Sequence, residues 1–562
     1  MGGTAAAADA VFEAAVGEDV EGGGVFGGAE RVVEGEEDDA GADADALRLG
    51  GDGGADDDGG GHHGVLGLEV HFGEPGDIEA ELVAEDDLGD RFVVPSLCVL
   101  LGPGGELVEE AVLHRWKGRR AGSIPLGGGP GRVVMASGLA GLGVVREPAR
   151  ETPVRAETDV LVVGGGIAGV AAAVAAARNG AEVLLVERYG YLGGLATGGM
   201  IILLLTMDDG RGRPVVGGLC QEVTDRLAAR GAAYFPPMGQ WGSEDTDLVE
   251  DARRWGLVWG RGPHRVRYSV AYEPEALKLA LNTMVEEAGV RLLLHAWASE
   301  PLLEEGRVRG MVFASKAGRF AVLAKVVIDT SGDGDVLAGA GCAHEKEEVL
   351  PWLWFCMGGV QDPEAAIERG GWYFRTVGEG KVLLPWGATE TMSRRIDATK
   401  PEDLTYAELE GRKRVMAEVE RLRQEVPEFA GAHVCHVADQ LGVTESRRLQ
   451  GEYVLRREDL DRKFEDVVAV TGHWTKYDVL YHIPYRSLLP RELSNVLVAG
   501  RCISVDHRVH HATKEIPSCI ATGEAAGTAA ALALTTGVEP KQLDVQLLQR
   551  RLSERGAILW PS

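Results

Sequence analysis

The spacing of apolar residues changes character abruptly at residue 164. Val160 to Val163 are consecutive aliphatic residues between Asp159 and a glycine run, which predicts a short buried strand. Residues 170–178 are small or aliphatic up to Arg178, and predict a helix closed by Gly180. A second aliphatic run, Val183 to Val186, ends at Glu187 and reads as the next strand. Farther along, Glu273 to Ala288 places its apolar residues at helical spacing, and VRLLLHAW (290–297) reads as a strand. The stretch GRVRGMVFASKAGRFAVLAKVVID (306–329) then alternates with the two-residue period of a β-meander. The uncharged run 160–177 resembles a membrane span by hydropathy alone. Gly164, Gly166 and Gly169 divide it into strand and helix, so no span is predicted.

The turn between that first strand and helix carries the chemistry. Gly164, Gly166 and Gly169 complete a G-x-G-x-x-G turn, with Ile167 and Ala168 inside it, and Glu187 closes the second strand some twenty residues later. Gly164 permits the tight turn, Gly166 lets backbone N–H groups approach a pyrophosphate, and Gly169 allows helix and strand to close on each other. A carboxylate at 187 suits ribose hydroxyls and repels a 2′-phosphate, so the nucleotide is FAD or NAD rather than NADP.

The segment beginning at this acid resembles a known flavoprotein pattern. ERYGYLGGLATGG (187–199), beginning Glu187-Arg188, is similar to the extended glycine loop of glutathione-reductase-like flavoproteins, in which a second pair, here Gly193 and Gly194, approaches the cofactor. KVVIDTSGDG (325–334) resembles the returning strand of that family with its Asp-x-x-Gly turn, placing Asp329 and Gly332 beside the cofactor. NVLVAGRCIS (495–504) resembles its last strand, with Gly500 and Arg501 at the ribityl chain. EIPSCIATGEAAGTAAAL (515–532) is similar to the closing helix whose start, with Pro517, Ala521 and Thr522, points at the flavin pyrimidine; Gly523 and Gly527 allow close approach.

As a set, these blocks resemble the FAD-dependent oxidoreductase family, in the branch that includes the flavin subunit of heterodisulfide reductase. The resemblance covers residues from about 155 to 540. It implies an α/β fold: a Rossmann-like FAD/NAD(P)-binding domain, with a parallel sheet and β-meander crossover, interleaved with an α+β cap. The FAD-binding domain would comprise residues 155–205, 270–345 and 480–540, the cap 206–269 and 346–479, with 541–562 a tail. No second glycine fingerprint for NAD(P)H and no redox cysteine pair accompany the first, so FAD is expected to be the only nucleotide. Relatives in that branch carry iron–sulfur clusters on C-x-x-C runs, and this chain has no such run.

Composition changes the picture at the N-terminus. The net charge of −30 is concentrated there: residues 1–134 hold 29 acidic against 8 basic residues. GDGGADDDGGGHHG (51–64) reads as low-complexity, and the extension is expected to be disordered, although alternation in 65–83 and 92–101 suits strands. His62 and His63 are read as part of a solvated tail. A second reading takes the extension as a mis-assigned start, since a start at Met135 leaves every motif intact. Seven cysteines without regular spacing argue against a disulfide framework or a zinc site, and a reducing, cytoplasmic compartment is expected, without a secretory leader.

The chemistry expected is hydride transfer between a small organic substrate and flavin N5, at a C–H bond next to oxygen or nitrogen or at an activated double bond. HIPYRSLLP (482–490) and RCISVDHRVHHATKEI (501–516) resemble segments lining the flavin, which makes His482, His507 and His511 acid/base candidates and Arg486 and Arg501 anion holders. VTESRRLQGEY (443–453) resembles a family signature, with Glu445, Arg447 and Arg448 as cofactor or substrate contacts; Tyr485 is a further substrate candidate. Asp506, His507, His510 and His511 do not by themselves predict a metal, and DTSGDG lacks the closing Glu of a calcium loop. Cys502 and Cys519 are expected to be inert buried thiols. Besides a redox partner protein, no macromolecular ligand is indicated, neither nucleic acid nor membrane. Two other classes remain: a flavin-bearing electron-transfer subunit, and a nucleotide-binding scaffold without redox activity.

Overall fold

The computed structural model describes residues 147–370, 373–385 and 394–561, together with the backbone of three strands between residues 66 and 94. The chain divides into two units, one with the described residues between Val20 and Arg132 and the other with those from Val133 on. In the first, Leu66–Phe72, Ile78–Glu85 and Arg91–Val94 form an antiparallel sheet whose backbone register pairs Leu68 with Leu82 and Leu82 with Val94. The alternating stretches of the acidic extension, expected to suit strands, pair as strands here. The low-complexity run 51–64 with His62 and His63, and Met135, lie outside the described residues.

The second unit is built on the predicted strand–turn–helix. Strand β1 (Val154–Val163) has its last four residues fully or almost fully buried, as a strand covered on both faces requires. Helix α1 (Ile167–Arg178) follows, then β2 (Val183–Val186), helix α2 (Pro274–Glu287) and β3 (Arg291–Leu293). The run 290–297 does not continue as one strand, because His295 takes a positive φ of 58° and the chain re-enters the sheet at Trp297. The meander is β4 (Trp297–Glu304), β5 (Arg307–Ser315) and β6 (Gly318–Asp329), and β7 (Val496–Val498) returns late in the chain.

The sheet runs β4-β5-β6-β1-β2-β3, with β7 paired to β6. Pairs β6/β1, β1/β2, β2/β3 and β6/β7 are parallel; the two meander pairs are antiparallel. Strand β6 belongs to both halves: Gly310 to Ser315 pair with its first residues, and Val327 to Asp329 sit between Leu161 to Val163 and Val496 to Val498. This register puts the ends of β1, β6 and β7 side by side at one sheet edge, where open α/β sheets hold ligands.

Helix α3 (His507–Thr513) leads into α4 (Ile516–Thr536), which lies directly on α1. A Cβ at Gly523 would fall 2.2 Å from the Ala168 carbonyl oxygen, and one at Gly527 2.0 Å from that of Ala172. The close approach expected of these glycines is therefore between helix backbones. Around this layer, Phe374–Arg375, Lys381–Leu384, Phe355–Gly358 and His433–Val437 form a four-stranded antiparallel sheet, flanked in sequence by the long helix Pro401–Glu425. The segment 541–562 contributes helix Val545–Glu554, with Leu548 and Leu552 buried. Among the described residues no helix is long and apolar enough to cross a membrane.

Candidate active site

The glycine turn is held rigidly from below. Thr330, just past β6, donates its hydroxyl to the carbonyls of Val163 (2.9 Å) and Gly164 (2.8 Å). Gly164 takes φ 104°, and a Cβ there would meet the Thr330 carbonyl oxygen at 2.5 Å. Gly169 packs still more tightly, since its Cβ would lie 1.9 Å from the Gly164 oxygen. Gly166 differs: a Cβ there meets nothing within 4 Å, because the position opens onto a cavity. That cavity spans about 970 Å³, including the part open to solvent.

Its first end is formed by Gly164, Gly166, Ile167 and Ala168 with Glu187, Arg188, Gly193 and Gly194. The Glu187 carboxylate accepts from the Gly165 N–H (2.5 Å) and the Tyr189 N–H (2.8 Å), which ties the glycine turn to the end of β2. Arg188 lies over the rings of Tyr189 and Trp297, 5.0 Å from each centroid. The second glycine pair is locked to the first by the Gly193 N–H, which donates to the Gly165 carbonyl at 2.8 Å.

The middle of the cavity is walled by Thr330, Ser331, Gly332, Ala499, Gly500 and Arg501. Arg501 donates to Asp333 at 2.6 Å, and its guanidinium covers Gly332, where a Cβ would come within 3.0 Å of Cζ. Burial alone would raise the Asp333 carboxyl, but Arg501 outweighs it and holds the group below the usual carboxylate range. The cavity is also lined by the start of α4, with Lys514, Glu515, Ile516 and Cys519, and by Trp352, Gln440 and Thr444 from other segments. Burial pushes the Glu515 carboxyl up to about 7, against the opposing effect of Lys514. Burial and the nearby Glu515 push the Cys519 thiol up to about 12, and burial takes Cys502 well above its ordinary value, as inert thiols require.

Several residues singled out in the sequence sit elsewhere. Asp329 is fully buried with its carboxylate turned into its own turn, accepting from Ser331 N, Ser331 Oγ and Leu337 N, so it shapes the loop that presents Gly332. Pro517, Ala521 and Thr522 do not line the cavity; Thr522 accepts from the Gly500 N–H at 3.2 Å and so steadies the β7 turn. His482 and Tyr485 are buried away from it, and the Tyr485 hydroxyl donates to the Pro540 carbonyl. Arg486 is paired with Asp466 at 2.8 Å and lies over the Tyr453 ring. His511 does not line the cavity either; burial, with Lys514 and His510 beside it, keeps it neutral. His507 bonds Glu445, Arg447 pairs with Asp335, and Arg448 is buried against Glu445 and Glu345. Of the five proposed catalytic residues, only Arg501 reaches the cavity wall.

The elongated cavity fits a dinucleotide cofactor: an open cradle at Gly166, a carboxylate at one end and a helix N-terminus at the other. Fold and cavity together define an FAD-binding oxidoreductase. The chain belongs to the FAD dependent oxidoreductase family, whose sequence profile matches residues 159–552, well over half of its length. No curated protein sequence matches it significantly. Among solved structures it is similar to a geranylgeranyl bacteriochlorophyll reductase-like protein from Thermoplasma acidophilum, at 14% identity and TM-score 0.37 over 71% of this chain and 84% of that one. It is also similar to p-nitrophenol 4-monooxygenase PnpA from Pseudomonas putida, at 13% identity and TM-score 0.41 over 72% and 87%. A third is L-proline dehydrogenase from P. horikoshii, at 14% identity and TM-score 0.36 over 72% and 100%.

Proposed function

We propose that this FAD-dependent oxidoreductase acts on a small organic substrate at the α4 end of the cavity. The observation that carries this reading is the wall there: Trp352, Gln440 and Thr444 come from outside the FAD-binding sheet and line the same cavity as Lys514 and Glu515, with Lys514 Nζ 5.8 Å from the centre of the Trp352 ring. A subunit that only relays electrons has little use for such a walled recess, which supports the enzyme reading over the electron-transfer one.

Bound FAD supplies the two-electron chemistry, taking up or giving back a hydride. The chain's own residues do the rest. Gly166 and Ile167 line the cavity at the helix start where backbone N–H groups would hold a pyrophosphate, and Glu187 and Arg188 line it where they would bind the ribose. At the other end the α4 N-terminus and Lys514 favour negative charge. Glu515, with its carboxyl near 7, can hold or release a proton at working pH, and it replaces His482, His507 and His511 as the acid/base candidate. Arg501, paired with Asp333, is assigned to positioning the wall rather than to holding a substrate anion.

Within the family, the glycine loop at 187–199 and the helix at 515–532 support placement near the flavin subunit of heterodisulfide reductase. Iron–sulfur chemistry is not carried over, because among the described residues no group of cysteines converges on a point. The test is anaerobic reduction of the purified yellow protein against a metabolite panel and, separately, against reduced ferredoxin. Bleaching by a metabolite is expected. Bleaching by the protein donor alone would overturn the substrate reading, and a colourless protein would overturn both.

A further inference from the structure

The charged side chains that line the cavity are not all committed. The Glu187 carboxylate accepts from two backbone N–H groups, Arg188 lies over two aromatic rings, and Arg501 is paired with Asp333. Lys514 and Glu515 line the same cavity, yet neither side chain makes a hydrogen bond or an ion pair among the described residues. They sit at the joint between two helices: Lys514 follows the last residue of α3, and Glu515 precedes the first of α4. Backbone contacts hold the joint in place. The Lys514 N–H donates to the His510 carbonyl at 2.9 Å, the Cys519 N–H to the Glu515 carbonyl at 2.9 Å, and the Cys519 thiol to the Lys514 carbonyl at 3.1 Å.

An ammonium left without a partner on a cavity wall is a place for an anion, because a desolvated charge needs a counter-charge. Lys514 also stands just ahead of the 21-residue helix α4, whose first N–H groups add to the positive potential. Its Nζ lies 5.8 Å from the centre of the Trp352 ring, so a group bound at the ammonium has an aromatic wall beside it. Glu515 does not cancel this charge. The two side chains form no ion pair, and burial outweighs Lys514 in setting the carboxyl, which therefore spends part of the neutral pH range protonated. A hydroxyl suits such an acid in both of its states, donating to the carboxylate and accepting from the acid form. An ammonium is served by the carboxylate alone.

We propose that the substrate is a small 2-hydroxy acid, its carboxylate held by Lys514 and its hydroxyl by Glu515. The inference rests on the reading that the chain acts on a small molecule in this cavity. In the direction of oxidation the C2 hydrogen leaves with its electron pair, which FAD takes up, and the hydroxyl proton passes to Glu515. The C2–O bond becomes a carbonyl, so the product is a 2-oxo acid with its carboxylate unchanged. Lys514 takes no part in the proton movement. By holding the carboxylate next to C2 it fixes the reacting carbon and selects against uncharged alcohols.

The probe is 2-hydroxyisobutyrate, which carries the carboxylate and the hydroxyl but has no C2 hydrogen to lose, so binding is read without turnover. Added to the full-length oxidised holoprotein, it should perturb the flavin absorption saturably, and 2-hydroxyisobutyramide should bind at least tenfold more weakly. Lys514→Met should lose a similar factor and Lys514→Arg recover most of it, with flavin content and melting temperature unchanged in both. No saturable binding would overturn the site, as would equal binding of acid and amide or a Lys514→Met protein that binds as the wild type does. Anaerobic bleaching is then compared for lactate and 2-hydroxybutyrate against alanine and 2-aminobutyrate. Bleaching by a hydroxy acid is expected, and Glu515→Gln should abolish it while still binding 2-hydroxyisobutyrate. Bleaching by neither hydroxy acid, or by the amino acids alone, would overturn the hydroxyl assignment. Bleaching by an uncharged metabolite, undiminished in Lys514→Met, would sink this substrate class and leave the enzyme reading standing; bleaching by reduced ferredoxin alone would sink that reading itself.

Discussion

Gly166 and Gly169 belong to one motif yet are glycine for different reasons, and they separate under mutation. At Gly166 the side-chain direction is empty cavity, so Gly166→Val should fold normally and fail to retain FAD. A yellow Gly166→Val protein would contradict the cradle. At Gly169 the same atom strikes the Gly164 carbonyl at 1.9 Å, so even Gly169→Ala forces backbone apart. Overpacking of that kind costs about 1–3 kcal/mol. A denaturant midpoint indistinguishable from that of the wild type would refute the contact. The G-x-G-x-x-G spacing already assigns these glycines different roles; what the sequence leaves out is the packing of Gly164 and Thr330 against the turn, which sets how much each position can tolerate.

At the scale of elements, α4 carries a buried acid whose titration should be visible in stability. Glu524 is 4% exposed and accepts from the Leu219 N–H at 2.9 Å, and burial pushes its carboxyl up to about 7 from an ordinary value of 4.5. Between those values the folded chain binds a proton that the unfolded chain has released. Stability therefore falls as pH rises from about 4.5 to 7 and stays lower above it. Glu524→Gln keeps an acceptor for Leu219 and removes the ionisation, so it should unfold at higher denaturant than the wild type at pH 8 and show less of that decline. Equal midpoints at pH 8 would show that Glu524 is ionised at no cost. Element identity is legible in the sequence: β1, α1, β2, the meander and α4 are each set by local periodicity and by their own glycines. The acid/base assignment is not. His482, His507 and His511 lie in segments that pass near the cavity, and chain proximity does not say which way a ring turns. Lys514 and Glu515 belong to the same 501–516 segment as two of those histidines, but only the placement of the α4 start shows that they face the cavity. Trp352 and Gln440 are out of reach of sequence reasoning because their segments arrive from elsewhere in the chain.

For the molecule as a whole, the cavity draws on residues from Gly164 onward, and every wall described lies in the unit that follows Val133. A chain begun at Met135 should therefore hold FAD with the same absorption spectrum and stoichiometry. Loss of flavin from that shortened chain would assign the acidic extension a part in the site. In the native host, mass spectrometry for peptides from residues 1–130 tests separately whether the extension is made: their detection would exclude a start at Met135. Cofactor removal should destabilise the whole unit, because a ligand bound only to the folded state adds about 2.7 kcal/mol at a hundredfold excess over its Kd. An unchanged melting temperature after flavin extraction would count against FAD as part of the folded unit.

The contact between α1 and α4 has a metric meaning. Gly523 meets Ala168 and Gly527 meets Ala172, so the two helices run in the same direction, in step, with their backbones as the contact surfaces. Both N-termini open into the cavity. With 1.5 Å of rise per residue, this register sets the start of α4 about 9 Å beyond the start of α1. The helix pair works as a fixed gauge, and the length of cofactor admitted between the glycine turn and Lys514 is set by a contact that no cofactor atom needs to touch.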